Sequence, residues 1–144
     1  MSRMRAAVLA LVIVLAAGCA WAALAPVPAA PNNEEIFTIP AGTWDKRMEG
    51  DRSDILPRVI HLTLKLNDVL VVRNQDKVPQ TVGPVLIMPG QQFRMPFSVA
   101  SENQFDCTAH SDGQLTVLVD DFPEPGLARL AWRLRRAFPW LNSR

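Results

Sequence analysis

Cysteine and histidine are scarce in this sequence, and the scarcity limits its possible chemistry. The 144 residues include two cysteines and two histidines. Only Cys107 lies in the central part of the chain, residues 31–126, so this part cannot form an internal disulfide. An unpaired thiol is a liability in an oxidising compartment. We therefore expect Cys107 to be a ligand or a well-buried side chain.

The central part also lacks the motifs of several common enzyme classes. It has no Gly-rich phosphate loop, no paired-cysteine zinc spacing and no serine-centred nucleophile motif. A Cys107 nucleophile with His110 as its base is the enzymatic alternative, but no oxyanion site or orienting group accompanies the pair. We therefore do not expect an enzyme, and we expect no nucleic-acid partner.

The N-terminal segment has the composition of an export signal. Arg3 and Arg5 give a cationic start, and residues 6–17 form an uncharged apolar run. This run reaches the roughly 20 residues of a membrane span only if it continues through residues 18–25. The pattern predicts an exported, membrane-tethered protein, periplasmic or at the cell surface.

Residues 15–19 close the apolar run and are similar to a bacterial lipobox ending at Cys19. Ala16 stands where such a motif usually has a large aliphatic residue. We favour cleavage or lipid attachment over an uncleaved anchor, with ordinary cleavage near residues 23–25 as a further alternative.

Charge is divided unevenly between the body and the C-terminal tail. The net charge of +1 combines eight Lys and Arg against fourteen Asp and Glu in residues 31–126 with five arginines and no acid in residues 127–144. Apolar residues recur at helical spacing in the tail: Leu127, Leu130, Ala131, Leu134 and Phe138. The tail predicts a basic amphipathic helix that either meets an anionic membrane or acidic partner, or packs its apolar stripe on the domain.

Composition divides the chain into four parts. We predict a signal peptide or membrane anchor over residues 1–25, an Ala/Pro linker over 26–33, a domain over 34–121 and the basic tail over 122–144. The domain has room for one modest core but not for two.

Short β-rich runs separated by turn residues fill the domain. Many alternate with period two, and seven are predicted as strands, at residues 35–39, 59–66, 69–74, 81–87, 92–97, 103–107 and 115–119. This pattern is typical of an all-β sandwich or small barrel. Residues 42–57 form a charged insert, predicted as a loop or short helix over one end of the sandwich. His61 alternates with core positions and is expected on the outer face.

Five segments carry a more specific resemblance. They are residues 74–76 (NQD), 79–82 (PQTV), 89–93 (PGQQF), 105–110 (FDCTAH) and 113–114 (GQ). In order and spacing they are similar to the cupredoxins, a family in which a copper-binding histidine follows an Asn-x-Asp turn and a Cys-x-x-His loop closes the site. The resemblance covers residues 35–119 and implies a Greek-key β-sandwich of about seven to eight strands.

The resemblance also implies a metal site with one copper ion. Its ligands would be Cys107 and His110, with Gln114 at the axial position and Gln80 where the family has its first histidine. An axial glutamine is a mild change. A carboxamide in place of the first imidazole is a serious one, so reduced copper is the expected preference.

Two functions follow from this site. The first is copper binding for electron transfer or copper handling near the membrane, with a redox or membrane-complex partner. The second is a metal-free accessory subunit that uses the sandwich and tail for docking, with Cys107 as a buried thiol. The cysteine–histidine pair favours the first, and Gln80 favours the second.

Overall fold

The computed structural model of the chain describes residues 2–51, 53, 56–110 and 112–138. They belong to two compact units. One is Pro28–Phe122, and the other combines Met1–Val27 with Pro123–Arg144.

Eight strands and one short helix make up the unit Pro28–Phe122. The strands are β1 (Glu34–Ile39), β2 (Val59–Thr63), β3 (Val69–Asn74), β4 (Gln80–Val82), β5 (Val85–Ile87), β6 (Gln92–Pro96), β7 (Ser101–Asp106) and β8 (Gln114–Asp120). The short helix α2 (Thr43–Met48) lies between β1 and β2, within the charged insert, for which either a loop or a short helix was predicted. A 3-10 turn at Pro31–Asn33 precedes β1.

The strands form two three-stranded sheets and a hairpin. One sheet has the order β1-β3-β6, the other has the order β2-β8-β7, and β4 pairs with β5. Each larger sheet contains one parallel and one antiparallel pair, with β3 or β8 at its centre. This arrangement, with the flanking helices, confirms the predicted β-sandwich and its strand number.

The two sheets share one hydrophobic core. Ile39, Leu70 and Val72 from the first sheet and Ile60, Leu62, Leu115, Val117 and Val119 from the second are buried in one cluster. Burial alternates along β8, as expected for a strand with one face on the core. His61 is half-buried between Ile60 and Leu62, so its side chain leaves the strand on the face away from the core, as predicted.

Two strand predictions differ from the structure for local reasons. The run 81–87 is a hairpin, because the turn at Gly83 and Pro84 reverses the chain with Gly83 at φ +58°. A Cβ atom on Gly83 would lie 2.8 Å from Cδ1 of Phe105, so this close approach also requires glycine. The strand predicted over residues 59–66 ends at Thr63, where the backbone turns and Lys65 adopts φ +63°.

The second unit contains two helices, α1 (Ser2–Leu24) and α3 (Leu127–Ala137). Residues Arg3–Leu24 of α1 are long and apolar enough to cross a membrane, and this stretch is not buried by other parts of the structure. The presence of α3 confirms the predicted C-terminal helix. Trp140 and Arg144 of the predicted tail lie outside the described residues.

Candidate metal centre

Cys107 begins the loop between β7 and β8, and it lies at the edge of the core. Its backbone forms an isolated bridge with Val82 of β4, and its N–H donates to the carbonyl of Gly113 over 2.7 Å. The side chain is 1% exposed and belongs to the hydrophobic core. The loop is therefore pinned at both ends while its thiol faces the protein interior.

Burial raises the pKa of the Cys107 thiol, since a thiolate loses its hydration in the core. Backbone N–H groups of Ala109 and His110 oppose this shift by donating toward the sulfur, and the negative charge of Asp112 adds to the increase in pKa. The thiol is therefore protonated at neutral pH without a metal. A bound cation would displace the proton, and the two N–H groups would then stabilise the thiolate.

His110 lies three residues after Cys107, and its ring is buried, with 4% exposure. Its Nε2 atom lies 3.1 Å from the carbonyl oxygen of Leu56 and 3.3 Å from that of Pro57. Carbonyl oxygens only accept hydrogen bonds, so Nε2 must carry the proton. This assignment follows from the hydrogen-bond partners and makes Nδ1 the nitrogen with the free lone pair.

The Nδ1 atom of His110 is buried and has no hydrogen-bond partner in the described part of the chain. A buried acceptor without a partner costs about 1–3 kcal/mol. Histidine ligands of metals commonly donate their second ring N–H to a backbone carbonyl, which fixes the tautomer and aims the other nitrogen at the metal. The ring of His110 has this arrangement.

Gln80 is also buried, with 3% exposure, but both ends of its amide are engaged. Its Nε2 donates to Oδ2 of Asp76 over 3.3 Å, and its Oε1 accepts from the hydroxyl of Thr108 over 2.7 Å. Thr108 lies between Cys107 and His110 in the chain. Gln80 therefore ties the start of β4 to the Cys107 loop by hydrogen bonds.

Asp76 binds the nitrogen end of the Gln80 amide. Its carboxylate accepts backbone N–H groups of Gly42, Trp44 and Lys77 at 3.1, 2.8 and 2.9 Å, in addition to the amide of Gln80. The side chain is 2% exposed. One buried carboxylate thus joins the start of α2, the β3–β4 turn and Gln80.

Gln114 differs from these groups in its exposure to solvent. It is exposed at the first position of β8, and the next residue, Leu115, points into the core. Across the residues that the structure describes, no three Cys, His, Asp or Glu side chains form a metal-binding group. Cys107 and His110 therefore supply a buried thiol and a buried unpartnered nitrogen, donor types that suit copper, whereas the amide of Gln80 is hydrogen-bonded and Gln114 is exposed.

Several residues that shape the site carry no signal in the sequence. The carbonyls of Leu56 and Pro57 come from the charged insert, more than 50 positions before His110. Gln80, whose side chain accepts the hydrogen bond from Thr108, lies 28 positions before it. Only Asp76 had a signal, as part of the NQD turn.

Comparison with known proteins finds similarity only at the level of solved structures. No protein-family model and no curated protein matches the chain. An oxidised amicyanin variant with a proline-to-alanine substitution is 15% identical with a TM-score of 0.44, over 66% of this chain and 95% of the other. A purple cupredoxin from Nitrosopumilus maritimus is 16% identical with a TM-score of 0.44, over 60% and 100% of the two chains. Because the identities and TM-scores are low, the fold class rests on the strand order and register of this chain.

Proposed function

We propose that this chain is an exported, cupredoxin-like protein that binds one copper ion through Sγ of Cys107 and Nδ1 of His110. The observation that carries the proposal is the buried, unpartnered Nδ1 atom of His110, three residues after a buried cysteine. A buried acceptor without a partner lowers stability. A role of Nδ1 as a metal ligand would account for its presence.

The donor set favours reduced copper. A thiolate and an imidazole are ligands that suit soft Cu(I), whereas oxidised copper prefers more nitrogen and oxygen donors. Gln80 would have to give up its bond from Thr108 or share its oxygen to reach the metal. The site would therefore carry out copper transfer, or single-electron exchange with a membrane-bound partner, with its two strong ligands on one short loop.

A metal-free docking subunit is the second candidate. The hydrogen bonds of Gln80 favour it, because they give a structural use to the position that differs most from the copper-binding pattern. In that case Cys107 is a core side chain, and function lies in the outer faces of the sandwich.

Copper content of the full chain separates the two candidates, and the sequence supplies a matched pair of variants. The full chain in detergent is loaded with Cu(I) against a competing chelator, and its copper content and visible absorption are measured. We expect one copper per chain in the parent and in Cys19→Ala, and none in Cys107→Ala. Colour after oxidation indicates a redox site, and colourless copper indicates a carrier.

Equal copper content in Cys107→Ala and Cys19→Ala would contradict the copper proposal. A parent chain that holds no copper, with Cys107→Ala still folded by circular dichroism, would support the docking subunit.

A further inference from the structure

The helix α3 is attached to the end of α1 by arginines. Arg129 is 5% exposed, although arginine is rarely buried. Its Nη1 donates to the carbonyls of Leu24 and Ala25 at 3.1 and 3.0 Å, and its Nε donates to the carbonyl of Pro123 at 3.1 Å. The last carbonyls of a helix have no partner within the helix and carry its negative dipole end, so a guanidinium suits them.

Arg133, one turn further along α3, extends this attachment. Its Nη2 donates to the carbonyls of Ala25 and Pro26 at 2.9 and 3.1 Å, and its guanidinium lies 5.6 Å from the ring centre of Trp21. We name Arg129 and Arg133 together the arginine clamp.

Within the described residues, the apolar side of α3 is exposed. The stripe Leu127, Ala131, Leu134 and Phe138 is exposed, with Leu127 at 83%. At 100° per residue these positions lie on the side of the helix roughly opposite the clamp. An exposed apolar stripe of this kind needs an apolar surface to cover it.

The chemistry of α1 identifies that surface. Its stretch Arg3–Leu24 is predominantly apolar and has no buried residue, and its 22 residues measure about 33 Å, close to the thickness of the hydrocarbon core. Arg3 and Arg5 lie at its start, whereas the first charges after it are Glu34 and Glu35, which is typical of a helix that starts on the cytoplasmic side. The arginine clamp therefore binds the end of α1 at the point where this helix would leave the bilayer.

We propose that α3 lies in the membrane interface, fixed by the arginine clamp to the exit of α1, with the Leu127–Phe138 stripe inserted among the lipids. Trp132, whose ring lies 5.1 Å from the guanidinium of Arg136 on the polar side of α3, is of a residue type enriched at membrane interfaces. The bilayer, rather than a protein partner, is the occupant, because α1 of the same two-helix unit has an apolar stretch long enough to span it.

The proposal requires residues 21–26 to remain in the mature chain. An uncleaved α1 and a lipid-bearing Cys19 both retain them. Cleavage near residues 23–25 would remove Trp21 with nearly all of α1, and cleavage after residue 24 or 25 would also remove carbonyls to which the buried Arg129 donates.

Spin-label depth tests the membrane position directly. Nitroxides are attached at Ala131→Cys, in the stripe, and at Arg136→Cys, on the far side, each in the full chain with Cys19→Ala, in vesicles of phosphatidylcholine and phosphatidylglycerol. Cys19→Ala alone is the labelling blank, because Cys107 is buried. We expect the label at 131 to collide more with oxygen and the label at 136 to collide more with a water-soluble nickel chelate. Equal access to the nickel chelate at both sites would overturn the proposal.

Hydrogen exchange tests the clamp in the same vesicles. Arg129→Gln should raise the exchange rates of α3 amides by about tenfold or more, because it removes charged hydrogen bonds. The matched control Arg135→Gln makes the same charge change on an exposed residue of α3 and should leave them unchanged. Equal exchange in the two variants would contradict the clamp.

The mass of the mature chain gives an independent result. A chain that retains Trp21 to Pro26, with or without lipid on Cys19, supports the proposal. A chain that begins at residue 22 or later contradicts it, whatever the copper content.

Discussion

The two sides of the candidate site differ in how they treat a buried polar side chain. On one side, Gln80 is 3% exposed and has partners at both ends of its amide. On the other, His110 is 4% exposed and keeps a ring nitrogen without a partner in the described part of the chain. Because the two side chains are buried to nearly the same extent, the difference lies in hydrogen bonding. The Gln80 side is closed by hydrogen bonds, whereas the His110 side retains an open nitrogen lone pair.

The largest effect on stability is expected from Asp76→Asn, which attacks the closed side. Asparagine has nearly the same shape, but its NH2 group replaces one oxygen that accepts hydrogen bonds. This group would face some of the four N–H donors that now bind the carboxylate. We expect unfolding by urea to show a loss of about 2–3 kcal/mol. Asp121→Asn, at an exposed site, should change stability by no more than about 0.5 kcal/mol. Similar losses in both variants would show that the Asp76 network is unimportant.

Gly83→Ala should come next, because the hairpin holds Gln80 in place. Alanine there adopts an unfavourable φ and also meets the ring of Phe105, whereas Gly90→Ala, at φ +77°, has only the backbone penalty. We expect a loss of about 1 kcal/mol for Gly90→Ala and a distinctly larger loss for Gly83→Ala. Thermal unfolding measures both. Equal losses of stability in the two variants would mean that the Phe105 ring moves away from the added Cβ without destabilising the fold.

Gln80→Leu should lower stability less than Asp76→Asn and tests directly whether Gln80 is structural or a ligand. It removes both hydrogen bonds of the amide and should lower stability by about 1–2 kcal/mol. Copper affinity should change little, since Nδ1 of His110 and the Cys107 thiol remain. A loss of copper affinity beyond the effect on folding would instead identify Gln80 as a ligand, as the resemblance to cupredoxins implies.

Much of the β-sandwich could be predicted because its signals are local. Seven short β-rich runs, many of them alternating with period two, overlap all eight strands, and the CTAH loop placed Cys107 and His110 on one short segment. The hairpin within residues 81–87 was missed because an apolar run suggested one strand, although Gly83 and Pro84 are themselves a turn signal. The end of β2 was missed because Lys65 gives no sign of its positive φ.

The contacts that define the site could not be predicted, because they join distant segments. Nothing in the sequence links His110 to the carbonyls of Leu56 and Pro57, or Gln80 to Thr108. The same limit applies to α3. Its periodicity predicts an amphipathic helix but not that Arg129 on its polar side is buried while Leu127 is exposed.

The most direct test of the copper proposal uses the two histidines as a matched pair. His110→Leu removes the open nitrogen, and His61→Leu removes a half-buried imidazole on β2. Cu(I) affinity is measured for both in the full chain by chelator competition. We expect His110→Leu to weaken binding by more than the roughly 10- to 100-fold that loss of a supporting partner causes, and His61→Leu to leave it unchanged. Equal affinities in the two variants would contradict the assignment of His110 as a copper ligand.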